Sequence, residues 1–97
     1  MLYATQDPDA VLDWLIFWPR LTTNGTEQDP IISAVWEGEG LVQPVDKRSF
    51  ILDGDKTTVW ASFPNSEVDD VHVITCHVIT AEGREDDQSI TFTIIEK

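Results

Sequence analysis

His72, Cys76 and His77 are the residue types from which nucleophilic catalysis or a soft-metal site is built. A thiolate attacks, or ligates, when an imidazole lies close enough to take its proton or share the metal. Their spacing works against both. All three fall within Val71 to Thr80, the longest β-like run of the chain, and successive side chains of a strand leave on opposite faces. Cys76 and His77 then point to opposite sides, and His72 lies two pleats from Cys76. Cys76 keeps register with Ile74 and Val78, where a small buried hydrophobe belongs. His77 is expected on the outer face. Histidine is the residue type whose charge changes near neutral pH.

Acidic groups at Asp53/Asp55, Asp69/Asp70 and Glu85/Asp86/Asp87 offer the hard oxygen ligands that calcium prefers. Turns favour Asp for backbone reasons, and none of the groups follows the EF-hand spacing, so solvated turns are expected instead. Paired carboxylates for glycoside cleavage need a cleft, for which so small a chain has little room. There is no glycine-rich phosphate loop and no Ser-His-Asp signature. Asn24-Gly25-Thr26 fits the glycosylation pattern and is expected to be inert without a secretory route. The expectation is a protein without catalytic residues, metal or cofactor.

The elements that carry these residues read as strands throughout. Segments of alternating polarity bounded by Gly, Pro, Asn and Asp recur, and no apolar pattern at helical spacing is long enough for a helix. Val11 to Trp18 places Trp14, Ile16 and Trp18 on one face and Leu15 and Phe17 on the other, with Pro19 closing the run. After a polar turn around Asn24 and Gly25, Ile31 to Glu37 alternates with Ile32, Ala34 and Trp36 inward. Gly38 and Gly40 loosen the chain. Val45 to Asp53 is less regular, with a short strand at Ser49 to Leu52 before the turn Asp53-Gly54-Asp55. Thr57 to Phe63 sets Val59, Ala61 and Phe63 against Thr58, Trp60 and Ser62, and Pro64-Asn65 ends it. Val71 to Thr80, the turn Ala81-Glu82-Gly83-Arg84 and Asp87 to Ile95 form a hairpin. Strands at this spacing without intervening helices favour a two-sheet antiparallel sandwich of about seven strands. Residues 1–97 read as one domain, with 1–10 as an extended N-terminal arm.

Of the four tryptophans, Trp14, Trp18 and Trp36 fall on inward faces. Trp60 alternates against Val59 and Ala61 and so faces out, beside Leu15 and Phe17; these three make the candidate protein-interaction patch. Composition narrows the partners. Ninety-seven residues, 41% of them apolar, suffice for a single core. The single cysteine excludes an intrachain disulfide. Eighteen acidic against six basic residues give a formal charge of −12, which repels phosphate backbones and anionic lipid, so neither nucleic acid nor membrane is expected. That charge suits docking to a basic protein surface. Residues 1–11 lack the basic and apolar regions of a signal peptide, and no run approaches the ~20 apolar residues of a membrane span, so a soluble protein made without export is expected.

Asp7-Pro8 followed by Val11-Leu12-Asp13, then Ile32-Ser33-Ala34-Val35-Trp36, then Thr57-Thr58-Val59-Trp60, and finally the stretch from Ile79 to Ile90 carry a resemblance. In order and spacing, from about Asp7 to Ile94, the chain resembles the small Ig-like virion proteins of tailed bacteriophages often labelled fibre-to-tail adaptors. The resemblance implies an Ig-like β-sandwich, made in the bacterial host cytoplasm and built into the virion in several copies. Its partners would be tail, neck or fibre proteins. Two departures stand out. Leu15 and Phe17 replace polar residues on the outer face of the first strand, which suggests a stickier face. His72 stands where the family has a tyrosine, which puts a tyrosine-corner hydrogen bond in doubt. The Gly83-Arg84 turn matches, with glycine explained by a need for positive φ. A capsid-decorating role, or a free carbohydrate- or calcium-dependent binding module, are the alternatives.

Overall fold

The structure, a computed structural model, describes residues 2–24, 27–43 and 49–96. In chain order its elements are β1 (Leu2–Gln6), β2 (Val11–Phe17), the single helical turn α1 (Pro19–Thr22), β3 (Thr23–Asn24), β4 (Glu27–Gln28), β5 (Ile31–Glu37), β6 (Phe50–Leu52), β7 (Lys56–Ser62), β8 (Val71–Thr80) and β9 (Glu85–Ile94). Seven of the strands make two sheets, ordered β1-β9-β8-β5 and β2-β7-β6, and β3 and β4 form a separate short ribbon. This is the all-β, disulfide-free sandwich expected from the alternation.

Each sheet contributes one apolar face to the core. From β2, β7 and their flanks come Ile16, Trp18, Val59, Ala61 and Phe63; from β5, β8 and β9 come Trp36, Ile74, Cys76, Val78, Ile90, Phe92 and Ile94. Phe63 packs tilted against Phe92 at 5.0 Å, and Trp14 meets the same ring edge-on at 5.4 Å. Trp18 is fully enclosed because its Nε1 donates to Thr57 Oγ1 at 2.9 Å, satisfying the polar atom that burial would otherwise strand. Trp36 sits on β5, the position of the tryptophan of Ig domains, and Ile74, two residues after His72, occupies the strand site where those domains carry a cysteine.

Three local expectations are revised. Leu2–Gln6 is extended, as an arm would be, but it is bound into a sheet. It pairs with β9 in parallel, from Leu2↔Ile90 to Gln6↔Ile94, the one parallel pair among the described strands. The chain then turns through Asp7–Ala10, where Asp9 N–H donates to Asp7 Oδ1 at 2.8 Å, and enters the opposite sheet. On β5 the inward residue is Ile31, 4% exposed, whereas Ile32 is 63% exposed. A register shift between Ile31 and Ser33 against β8 inserts one residue and inverts the alternation at that end; Ala34 and Trp36, beyond the bulge, face inward as expected. Pro19 does end its strand, but by opening α1, since its fixed φ and missing N–H suit a first helical position. Gly25 and the stretch Val45 to Arg48 lie outside the described residues; the strand expected at Ser49 to Leu52 is β6.

Candidate docking face

The outward face of β2-β7-β6 is assembled by the strand registers. Val11 lies across from Ser62, Asp13 from Trp60, Leu15 from Thr58, and Phe17 from Lys56; Phe50 and Leu52 extend the last two rows from β6. Strand alternation thus brings Leu15, Phe17 and Trp60 together on one face. Leu15, Phe17 and Phe50 are 47%, 51% and 48% exposed, while Trp60 is only partly exposed among them. Thr58, at the centre, is almost fully covered by these neighbours, and its Oγ1 is a buried polar atom without a hydrogen-bond partner. Lys56 reaches across the end of the face, its Nζ 5.2 Å from the centre of the Phe17 ring. It also bonds Asp55 Oδ1 at 2.8 Å, and that bond, helped by Asp53, raises its pKa. Phe50 and Leu52 were not singled out from the sequence, because the irregular segment that holds them gave no face assignment.

The residues that invited a catalytic reading are separated as strand geometry requires. Cys76 is wholly buried, its Sγ 3.6 Å from Thr57 Oγ1, and burial pushes the thiol up to about 11. A thiol so held stays protonated and unreactive. His77 leaves the other face of β8, where Nδ1 meets Asp87 Oδ1 and Nε2 meets Glu85 Oε1 at 2.9 Å. The Asp87 bond, then the Glu85 bond, raises its pKa. Two members of the Glu85/Asp86/Asp87 group therefore flank an imidazole. Among the described residues no group of three His, Cys, Asp or Glu side chains is placed to hold a metal ion.

His72 takes over the corner that a tyrosine fills in the fold. Its ring stacks on Phe63 at 4.7 Å with planes 9° apart. Nδ1 lies 3.0 Å from the carbonyl of Glu39 and Nε2 lies 2.6 Å from Ser66 Oγ. A carbonyl only accepts, so Nδ1 donates, and in the neutral ring Nε2 accepts from the Ser66 hydroxyl. The doubt raised by the shorter imidazole is resolved by the partner: Ser66, upstream in the β7–β8 corner, reaches to meet it. Gly40, at φ +86°, lets the chain just after β5 lie against the ring, because a Cβ there would lie 2.7 Å from His72 Cε1. Beside the ring opens a cleft of about 700 Å³ whose lining includes Glu39, Gly40, Ser66 and Asp70. Size alone suggested little room for one. Asp70 caps the turn beside it, its Oδ2 accepting from Glu67 N–H at 2.9 Å.

An Ig-like sandwich whose suggestive thiol is sealed in the core, and whose β2-β7-β6 sheet carries an apolar outer face, defines the class: a β-sandwich with a candidate binding face. Residues 6–93 match the family described as Podophage GP4 fiber-tail adaptor protein gp77, and the chain belongs to that family. No curated protein matches the chain.

Proposed function

We propose that this chain is a structural component of a tailed-phage virion that joins tail or neck proteins to fibres by protein–protein contact, in several copies and without catalysis. The apolar outer face of β2-β7-β6 is the docking surface, with Leu15, Phe17 and Trp60 as its anchors. The observation that carries this reading is the clustering itself: Val11, Leu15, Phe17, Phe50 and Leu52 are all exposed on one sheet face of a chain with a formal charge of −12. A contiguous apolar face on so acidic a chain works against its own solubility unless something covers it, and aromatic residues supply most of the affinity when a partner does. Family membership supports fibre and tail proteins as the partners' class and the virion as the site of action; synthesis in the host cytoplasm belongs to the same proposal.

The test is co-sedimentation of the purified chain with the tail, neck and fibre proteins of the same particle. Binding to one of them, weakened about tenfold or more by Phe17→Ser or Trp60→Ala with the fold intact by circular dichroism, is the expected result, since interface anchors cost ~2 kcal/mol or more when truncated. Absence of binding to every particle component, or binding untouched by both substitutions, overturns it.

A further inference from the structure

We propose that the free edge of β2 is a strand-addition site whose occupant is β2 of a second copy of this chain, the two joined antiparallel about a two-fold axis at Trp14. This inference concerns the sheet edge and stands apart from the docking reading of the sheet face.

Of the strand edges, β2 is the one left unguarded. β6 is 3 residues long and β1 is 5; β5 has 7 residues but carries the bulge at Ile31/Ser33. β2 runs for 7 residues, Val-Leu-Asp-Trp-Leu-Ile-Phe, paired only with β7 among the described residues, without bulge, proline or lysine. Natural sheets blunt an edge of this length and polarity by such devices, and an edge that lacks them templates another strand.

The backbone phase shows what the edge presents. Trp18 N–H donates to the carbonyl of Asp55, which continues the β2–β7 register, so Ile16, Trp14 and Leu12 are the residues hydrogen-bonded to β7. Ser62 agrees: its N–H and C=O are both exchanged with Val42, on the far side of β7, and not with Val11. The N–H and C=O groups of Val11, Asp13, Leu15 and Phe17 therefore point away from β7, and their side chains lie on the apolar outer face. With Trp14 against Trp14 of the second copy, Val11 pairs with Phe17 and Asp13 with Leu15. Every outward N–H and C=O of the strand then has a partner, and the three-stranded sheet becomes six-stranded with a continuous apolar face.

Charge complementarity favours a second copy over an unrelated strand. The single charged residue of β2, Asp13, falls opposite Leu15 rather than opposite itself. Just beyond the strand ends, where the chain leaves the sheet, the two-fold sets the Asp7–Asp9 turn of one copy at the same end of the joined sheets as α1 of the other, twice by symmetry. Asp9 and Arg20 are both exposed. The opposed ends thus pair an acid with a base although each chain carries a formal charge of −12.

Sedimentation equilibrium of the pure full-length chain over a concentration series reads the association. Wild type is expected to form a dimer. Asp13→Pro removes an N–H that the β2–β7 ladder does not use, and is expected to raise the dissociation constant about tenfold or more, with Asp13→Ser as its control. Arg20→Glu and Asp9→Lys are each expected to weaken the dimer, and the double variant to restore it, a readout that survives if the proline variant fails to fold. A chain that stays monomeric throughout overturns the proposal. So does a dimer indifferent to Asp13→Pro, or one that the double charge exchange does not restore.

Discussion

Gln6 ties one sheet to the other through a single amide. Its Nε2 donates to the carbonyls of Ala61 at 2.9 Å and Ala10 at 3.0 Å, and its Oε1 accepts from Trp14 Nε1 at 2.8 Å, all with the side chain fully buried. Gln6→Leu keeps the volume but orphans the Trp14 indole N–H and the Ala10 carbonyl, while the Ala61 carbonyl keeps the Leu12 N–H of the β2–β7 ladder. At about 1–3 kcal/mol for each group that stays dry, a loss of roughly 2–5 kcal/mol is expected in urea unfolding, far above what an exposed polar position loses. At the surface, His77 shows a charge effect of definite sign. Its partners Asp87 and Glu85 favour the charged ring, so its folded pKa lies above the unfolded value of 6.5. The stabilisation is complete below that unfolded value and disappears as pH rises through the folded pKa. His77→Gln is expected to flatten the melting-temperature profile across neutral pH relative to wild type, lowering it on the acidic side and leaving it unchanged on the alkaline side.

At the level of elements, the bulge on β5 makes a prediction that simple alternation would reverse. Ile31 is buried beneath the β8–β9 end of the sandwich and Ile32 stands in solvent. Ile31→Ala is expected to cost about 2–5 kcal/mol, in the range of buried isoleucine truncations, while Ile32→Ala stays within roughly 0.5 kcal/mol of wild type; paired chemical denaturation curves separate the two. Where a strand keeps period two without interruption, the fold was legible from residues alone. In β8, Ile74, Cys76 and Val78 alternate against Thr75 and His77; in β7, Val59 and Ala61 flank Trp60. Those strands also placed Leu15, Phe17 and Trp60 on a common face. One inserted residue was enough to defeat the same rule in β5. β1 was hidden for another reason: its partner is a parallel strand at the opposite end of the chain, and its inward residues include an amide, Gln6, whose burial depends on three groups brought to it by the fold. The His72 corner needed Glu39 and Ser66 in place before an imidazole could be seen to serve there.

Across the whole molecule the charges are not evenly placed. Among the described residues the cations, Arg20, Lys56 and Arg84, all lie at the end that holds α1 and the β8–β9 turn, where Arg84 donates to the carbonyls of Leu21 and Arg20. The other end carries Asp7, Asp9, Glu39, Glu67, Asp69 and Asp70 without a described cation among them. At neutral pH the formal charge of −12 opposes indiscriminate association, of single copies or of edge-paired dimers, within the ~8–10 Å over which salt leaves charges visible, and so tolerates an apolar sheet face that would otherwise be sticky. That protection depends on ionised carboxylates. Acidification toward the sequence isoelectric point of about 4.1 removes it while Leu15, Phe17 and Phe50 stay exposed. Solubility is therefore expected to pass through a minimum close to that pH, with light scattering rising as it is approached. A Leu15→Ser/Phe17→Ser variant, which leaves the charge count unaltered, is expected to scatter several-fold less at the minimum. Equal scattering by the two proteins would mean that charge neutralisation alone drives association and that the outer sheet face takes no part in it.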